Sequence, residues 1–126
     1  MSRKILIVDD NRGCCDLYKM RFEYDKWDVT VAYTAEKALE ILKGGYHPDA
    51  ILLDIMLPKM QGDELLGIIK DDPKTKDIKV IILSAINFFK EQNEEKFKLA
   101  DDCIMKINIL PHELVARVTE LVENKK

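Results

Sequence analysis
No stretch of this sequence is apolar for long enough to cross a membrane, and its first residues carry no signal-peptide core. A cytoplasmic chain with no membrane partner is therefore expected. There is no Lys/Arg tract either, and the net charge of −3 gives no pull toward nucleic acid, so no direct nucleic-acid contact is expected. Cysteine is scarce: there are three, an odd number, and Cys14 and Cys15 are adjacent, which rules out a disulfide framework. No Cys or His pair has the spacing of a zinc site. No Gly-rich loop follows the first apolar run, which argues against a nucleotide site of the Walker or Rossmann type. No His, Cys or Ser couple is placed for acyl transfer. Internal repeats, low-complexity segments and linkers are all missing. A chain of 126 residues then has room for one domain, residues 1–126, and not for two of ordinary size.

What is present is a set of short apolar runs that each end on a polar residue. The clearest is residues 50–58, Ala-Ile-Leu-Leu-Asp-Ile-Met-Leu-Pro, in which an unbroken apolar run reaches Asp54. A short unbroken run suits a strand buried on both faces, as in the middle of a parallel sheet. The pattern recurs where Lys4-Ile-Leu-Ile-Val8 runs into Asp9 and Asp10, where Val80-Ile-Ile-Leu83 runs into Ser84, and where Cys103-Ile-Met105 runs into Lys106.

Taken in order, the chain reads as five strand–helix units. A strand over residues 4–9 precedes a helix over 12–24 that carries Leu17, Met20 and Tyr24 at helical spacing. Val29 and Val31 alternate with polar neighbours, which predicts an edge strand over 28–32. Thr34 is placed to cap a second helix with Ala35, Ala38, Leu39 and Leu42 on one stripe, and Gly44 to end it. A strand over 50–54 leads through Pro58 and Gly62 into a helix carrying Leu65, Ile68 and Ile69. Residues 71–77 form a loop, 79–84 a strand, 87–100 a thinly patterned helix, and 102–106 a last strand. Pro111 opens the final helix, which buries Leu114, Val115, Val118, Leu121 and Val122. Strict alternation predicts an α/β fold: a single flavodoxin-like, doubly wound parallel sheet of (βα)5 type, in strand order 2-1-3-4-5.

In such a sheet Asp9, Asp10, Asp54, Ser84 and Lys106 meet at one edge, where open α/β sheets bind ligands. Three clustered carboxylates repel, and a hard divalent cation with oxygen ligands, Mg2+, relieves that repulsion. Asp54 then keeps a lone pair for attack on phosphorus, with Lys106 and Ser84 placed to hold phosphoryl oxygens. A lone Asp after a strand is ordinarily a turn or cap residue; the constellation is what points to chemistry.

With Asp9-Asp10, Asp54-Ile-Met-Leu-Pro58 and Gly62, Ser84-Ala85 and Lys106 in this order, nearly the whole chain resembles a response-regulator receiver domain. The resemblance implies that Asp54 accepts phosphate from a phosphohistidine on a sensor histidine kinase or a histidine phosphotransfer protein. It implies that Asp10, Asp54 and the Met56 carbonyl bind Mg2+ directly, with Asp9 acting through water. Ser84 would be the switch hydroxyl and Lys106 the partner of the phosphoryl group. The output would be phosphorylation-dependent binding to a further protein by a single-domain regulator, a phosphoacceptor in a two-component phosphorelay rather than a turnover enzyme. A binding module of the same fold without phosphate control is the alternative. An aspartyl-phosphate phosphatase would want a second Asp two residues after the nucleophile, and that position is Met56.

Three positions depart from the family pattern: Cys103 stands where a switch aromatic is usual, Ile107 where Pro is usual, and Leu99 where Gly is common. Cys103 predicts weak coupling between phosphorylation and partner affinity. Met56 and Ile86, apolar where the family's attacking water passes, predict slow self-dephosphorylation. The family's Lys-Pro bond is cis, but before isoleucine cis costs about 2.5–4 kcal/mol, so Lys106–Ile107 is expected to be trans.

Overall fold
Four short apolar runs and one alternating segment become five parallel strands in the computed structural model, which describes residues 2–85 and 98–124. They are β1 (Lys4–Val8), β2 (Asp28–Ala32), β3 (Ala50–Leu53), β4 (Lys79–Ser84) and β5 (Asp102–Met105), in the order β2-β1-β3-β4-β5. Every neighbouring pair is parallel, as the alternation of strands and helices requires. The described helices are α1 (Arg12–Tyr24), α2 (Ala35–Lys43), α3 (Gly62–Asp71) and α4 (Pro111–Glu123). None of them is long and apolar enough to cross a membrane. The helix expected over 87–100 falls largely outside the described residues, as do Ile86, Phe88 and Phe89.

The sheet divides the core in two. On one face Leu6, Val8, Ile51, Leu53, Val80 and Ile82 pack against α2 and α3. On the other, Ile5, Ile7, Leu52, Ile81, Leu83 and Ile104 pack against α1 and α4. β3 is buried at all four positions, which is why its sequence is apolar without alternation. Each fully buried Leu or Ile contributes about 1.5–3 kcal/mol relative to exposure.

The helix ends follow the expected chemistry. Thr34 caps α2, its hydroxyl accepting from the Lys37 N–H at 3.0 Å, and Gly44 closes it. Pro111 opens α4, where the Glu113 carboxylate reaches back to the Leu110 N–H at 2.8 Å.

Two helix faces differ from the sequence expectation. In α1 the buried residues are Cys15, Tyr18 and Phe22, while Leu17, Met20 and Tyr24 are exposed. Both sets have helical spacing; Phe22 prevails because Trp27, just past the helix, meets it edge-on at 5.3 Å between ring centroids. In α3 it is Leu66 rather than Ile68 that joins Leu65 and Ile69 in the core. At the strand ends, β1 stops at Val8, β3 at Leu53 and β5 at Met105, each one residue short of the expected bound. Lys106 opens a short 3-10 turn, Lys106–Asn108, and no cis peptide bond occurs among the described residues, so Lys106–Ile107 is trans as expected.

Candidate functional site
Parallel strands point their carboxyl ends the same way, so the polar residues that follow the apolar runs collect on one edge. Val8 and Leu53 are register partners, which sets Asp9 and Asp54 side by side. The ladder continues past the strand ends: the Asp54 N–H donates to the Val8 carbonyl at 2.9 Å and the Asp9 N–H to the Ala32 carbonyl at 3.1 Å. Carboxylate oxygens of Asp9, Asp10 and Asp54 all lie within 4.8 Å of one another.

The three carboxylates are not equivalent. Asp9 is 3% exposed and both its oxygens are engaged, Oδ1 by the Asn11 N–H at 3.0 Å and Oδ2 by Lys106 Nζ at 2.7 Å. Asp10 is exposed and makes no hydrogen bond or ion pair among the described residues. Asp54 is 8% exposed; its Oδ1 accepts from the Met56 N–H at 3.2 Å and its Oδ2 lies 3.7 Å from Lys106 Nζ. Burial, and after it the charge of Asp9, push the Asp54 carboxyl up to about 6, against the pull of the Met56 N–H and Lys106. Burial works against the Lys106 ammonium, but its hydrogen bond to Asp9 and the charges of Asp9 and Asp54 outweigh that and hold its pKa above the ordinary lysine value.

Oxygen donors crowded together, one of them free and open to solvent, suit a hard divalent cation. The cation would relieve the repulsion that raises Asp54.

Ser84 ends β4, fully buried, opposite Met105 and so one residue from the Lys106 level. Met56 is 56% exposed and lies beside the site through its backbone N–H. Cys103 is half-buried against the core shared with α2 and α3, and Leu99 is exposed. His47 and His112 are exposed surface residues.

Of three residues that frame the site, Asn11 and Cys14 carried no site role in the sequence reading, and Gly62 entered it only as part of the motif after Asp54. Asn11 caps α1, its side chain accepting from the Cys14 N–H at 3.0 Å, while its own N–H holds Asp9. Polar Asn just ahead of a helix was the available signal. Cys14 Sγ lies 3.8 Å from Lys106 Nζ, a contact between residues too far apart in sequence to be foreseen. At Gly62, a Cβ would lie 2.5 Å from Ile55 Cα and 2.6 Å from the Asp54 carbonyl oxygen. Only glycine lets α3 start directly behind Asp54.

The comparisons with known proteins agree with this geometry. The sequence profile described as response regulator receiver domain matches residues 5–119. The DNA-binding dual master transcriptional regulator RpaA of Synechocystis is 33% identical over 119 residues, 94% of this chain and 48% of that protein. Response regulator MprA of Mycobacterium ulcerans is 29% identical across 100% of this chain and 53% of its own length. The chain thus spans about half the length of such curated relatives. Among solved structures, a CheY-like receiver domain protein from Methanospirillum hungatei superposes with a TM-score of 0.89 at 28% identity, covering 99% of this chain and 97% of that one. The response regulator TrrA of Thermotoga maritima, solved in complex with Mg2+ and BeF, gives 0.82 at 29% identity over 94% of this chain and 98% of that one.

Proposed function
This chain belongs to the response regulator receiver domain family, and from that premise we propose that Asp54 accepts a phosphoryl group from a phosphohistidine of a sensor histidine kinase or a histidine phosphotransfer protein. An Asp54 carboxylate oxygen forms the new bond to phosphorus as the phosphorus–nitrogen bond breaks, and the imidazole keeps that electron pair. The observation that carries this reading is the placement of Asp54 itself. It is a buried carboxylate whose ionisation Asp9 opposes, with an ammonium 3.7 Å from Oδ2.

Asp10, Asp54 and the Met56 carbonyl would hold Mg2+, with Asp9 acting through water. Mg2+ supplies neutralisation of the carboxylate cluster and of the charge on the transferring group. Asp10 suits a direct ligand because no other group claims it among the described residues. Asp9 suits an indirect one because Lys106 and Asn11 occupy both its oxygens. Lys106 neutralises phosphoryl oxygens from a pre-set position, tied to Asp9. Ser84 donates its hydroxyl to the phosphoryl group. The protein is then a cytoplasmic phosphoacceptor that acts once on itself, not a turnover enzyme. Its output is docking to another protein rather than direct contact of this domain with nucleic acid.

The test is to incubate the protein with Mg2+ and a small phosphodonor and weigh it intact. A gain of one phosphoryl group, absent in Asp54→Asn and without Mg2+, is expected. No gain would favour a binding module of the same fold without phosphate control, a reading to which half-buried Cys103 and 82%-exposed Ile107 lend weight.

A further inference from the structure
The two adjacent cysteines of α1 work in different directions. Cys15 is fully buried, and its thiol donates to the Asp9 carbonyl at 3.3 Å. Cys14 is half-buried, and its Sγ lies 3.8 Å from Lys106 Nζ. That ammonium is the cation of the carboxylate edge: it donates to Asp9 Oδ2 at 2.7 Å and stands 3.7 Å from Asp54 Oδ2. The backbone beyond Lys106 does little to aim it, because the short 3-10 turn that Lys106 opens continues into Ile107, which is 82% exposed. Cys14 is itself held in place. Its N–H donates to Asn11 Oδ1 at 3.0 Å, and the Asn11 N–H donates to Asp9 Oδ1 at 3.0 Å. One helix cap thus fixes both the sulfur and the carboxylate that flank the ammonium.

We propose that Cys14 is a positioning residue for Lys106, its sulfur accepting a second N–H of the ammonium so that the third is turned toward the phosphoryl group on Asp54. The inference rests on the phosphoacceptor reading of Asp54. An ammonium has three donors and no acceptor, and Asp9 takes one of them. A single contact leaves a flexible four-carbon side chain free to swing about it; a second, from a different element, fixes the nitrogen. A thiol sulfur suits this place because it is a weak, neutral acceptor. It steers the ammonium without competing with a phosphoryl oxygen, as a third carboxylate would. An alkyl side chain there would fill the space and accept nothing.

The test compares labelling by acetyl phosphate with Mg2+ in wild type, Cys14→Ala and Cys14→Ser, alongside urea unfolding of each. Cys14→Ala removes the acceptor and Cys14→Ser returns one. Cys14→Ala is expected to slow labelling about three- to fivefold, the scale of one weak hydrogen bond, with the urea midpoint unchanged. Cys14→Ser is expected to recover to within about twofold of the wild-type rate. Lys106 supplies the second readout. With 13C at the lysine ε-carbons, the signal missing from Lys106→Arg is expected to shift in Cys14→Ala and to return toward its wild-type position in Cys14→Ser. Wild-type labelling with an unchanged rate in Cys14→Ala overturns the proposal and leaves the phosphoacceptor reading standing. A Cys14→Ser as slow as Cys14→Ala, or a rate loss that comes with a lowered urea midpoint and an unmoved Lys106 signal, overturns it in favour of packing. Failure of the wild type to be labelled overturns both.

Discussion

At Asp54 the chain buries a carboxylate against a second carboxylate, and that has a pH signature in the metal-free protein. Burial first, then Asp9, raise its folded pKa from 3.8 to about 6, so the folded state holds the proton more tightly than the unfolded chain does. The sign follows. Below about pH 3.8 both states are protonated and the group costs nothing; between 3.8 and about 6 the unfolded chain ionises while the folded state keeps its proton, so stability falls, and above about 6 the loss is complete. The full cost, on the order of 3 kcal/mol, is present above that range. Urea unfolding in a chelator should therefore show Asp54→Asn gaining over wild type between pH 4 and pH 7.5, with little difference at the acid end. A difference independent of pH would contradict this account of Asp54. That Asp9, Asp54, Ser84 and Lys106 fall at one edge of the sheet was legible in the sequence because each ends an apolar run. Their unequal environments were not. That Asp9 is tied to Lys106 at 2.7 Å while Asp10 stays free depends on a contact spanning most of the chain.

Among the elements, α3 and α1 carry the sharpest consequences. α3 begins at Gly62 against the backbone of Asp54 and Ile55, and the Gly62 N–H donates to the Ile55 carbonyl at 3.0 Å. Gly62→Ala would push α3 off that seat, because the contacts are backbone and cannot swing away. A loss of about 1–3 kcal/mol in denaturant unfolding is expected, the usual cost of overpacking. A neutral Gly62→Ala would mean that the approach of α3 to Asp54 is looser than described. In α1, Phe22→Ala should cost about 3–5 kcal/mol, whereas Met20→Lys should stay within about 0.5 kcal/mol of wild type. Equal losses in the two variants would show that the exposed stripe is packed after all. The existence and span of α1 were readable from spacing, but its buried face was not. The helix carries two apolar stripes, and the choice between them is made by Trp27 and the sheet, which spacing does not encode. The strands β1, β3 and β5 each end one residue before the expected bound for a related reason. Asp9, Asp54 and Lys106 each leave the regular strand where their side chains turn to the shared edge.

For the whole molecule, strand order and single-domain architecture followed from strict alternation and from one weakly apolar edge strand. Parallel pairing then gathers the polar ends on one edge without any local signal having to encode the gathering. The family profile and the solved receiver domains place this chain in the same architecture, and it corresponds to about half the length of relatives such as RpaA and MprA. In this account, the fold's principal task is to present Asp54 to a phosphoryl donor. The most direct measurement is chemical trapping: label the protein with Mg2+ and acetyl phosphate, reduce it with borohydride, and map the peptides by mass. The account predicts that an acyl phosphate is trapped, by its reduction to homoserine, at position 54 alone. Trapping at Asp9 or Asp10 instead, or no trapping in a protein whose intact mass shows phosphate, would contradict it.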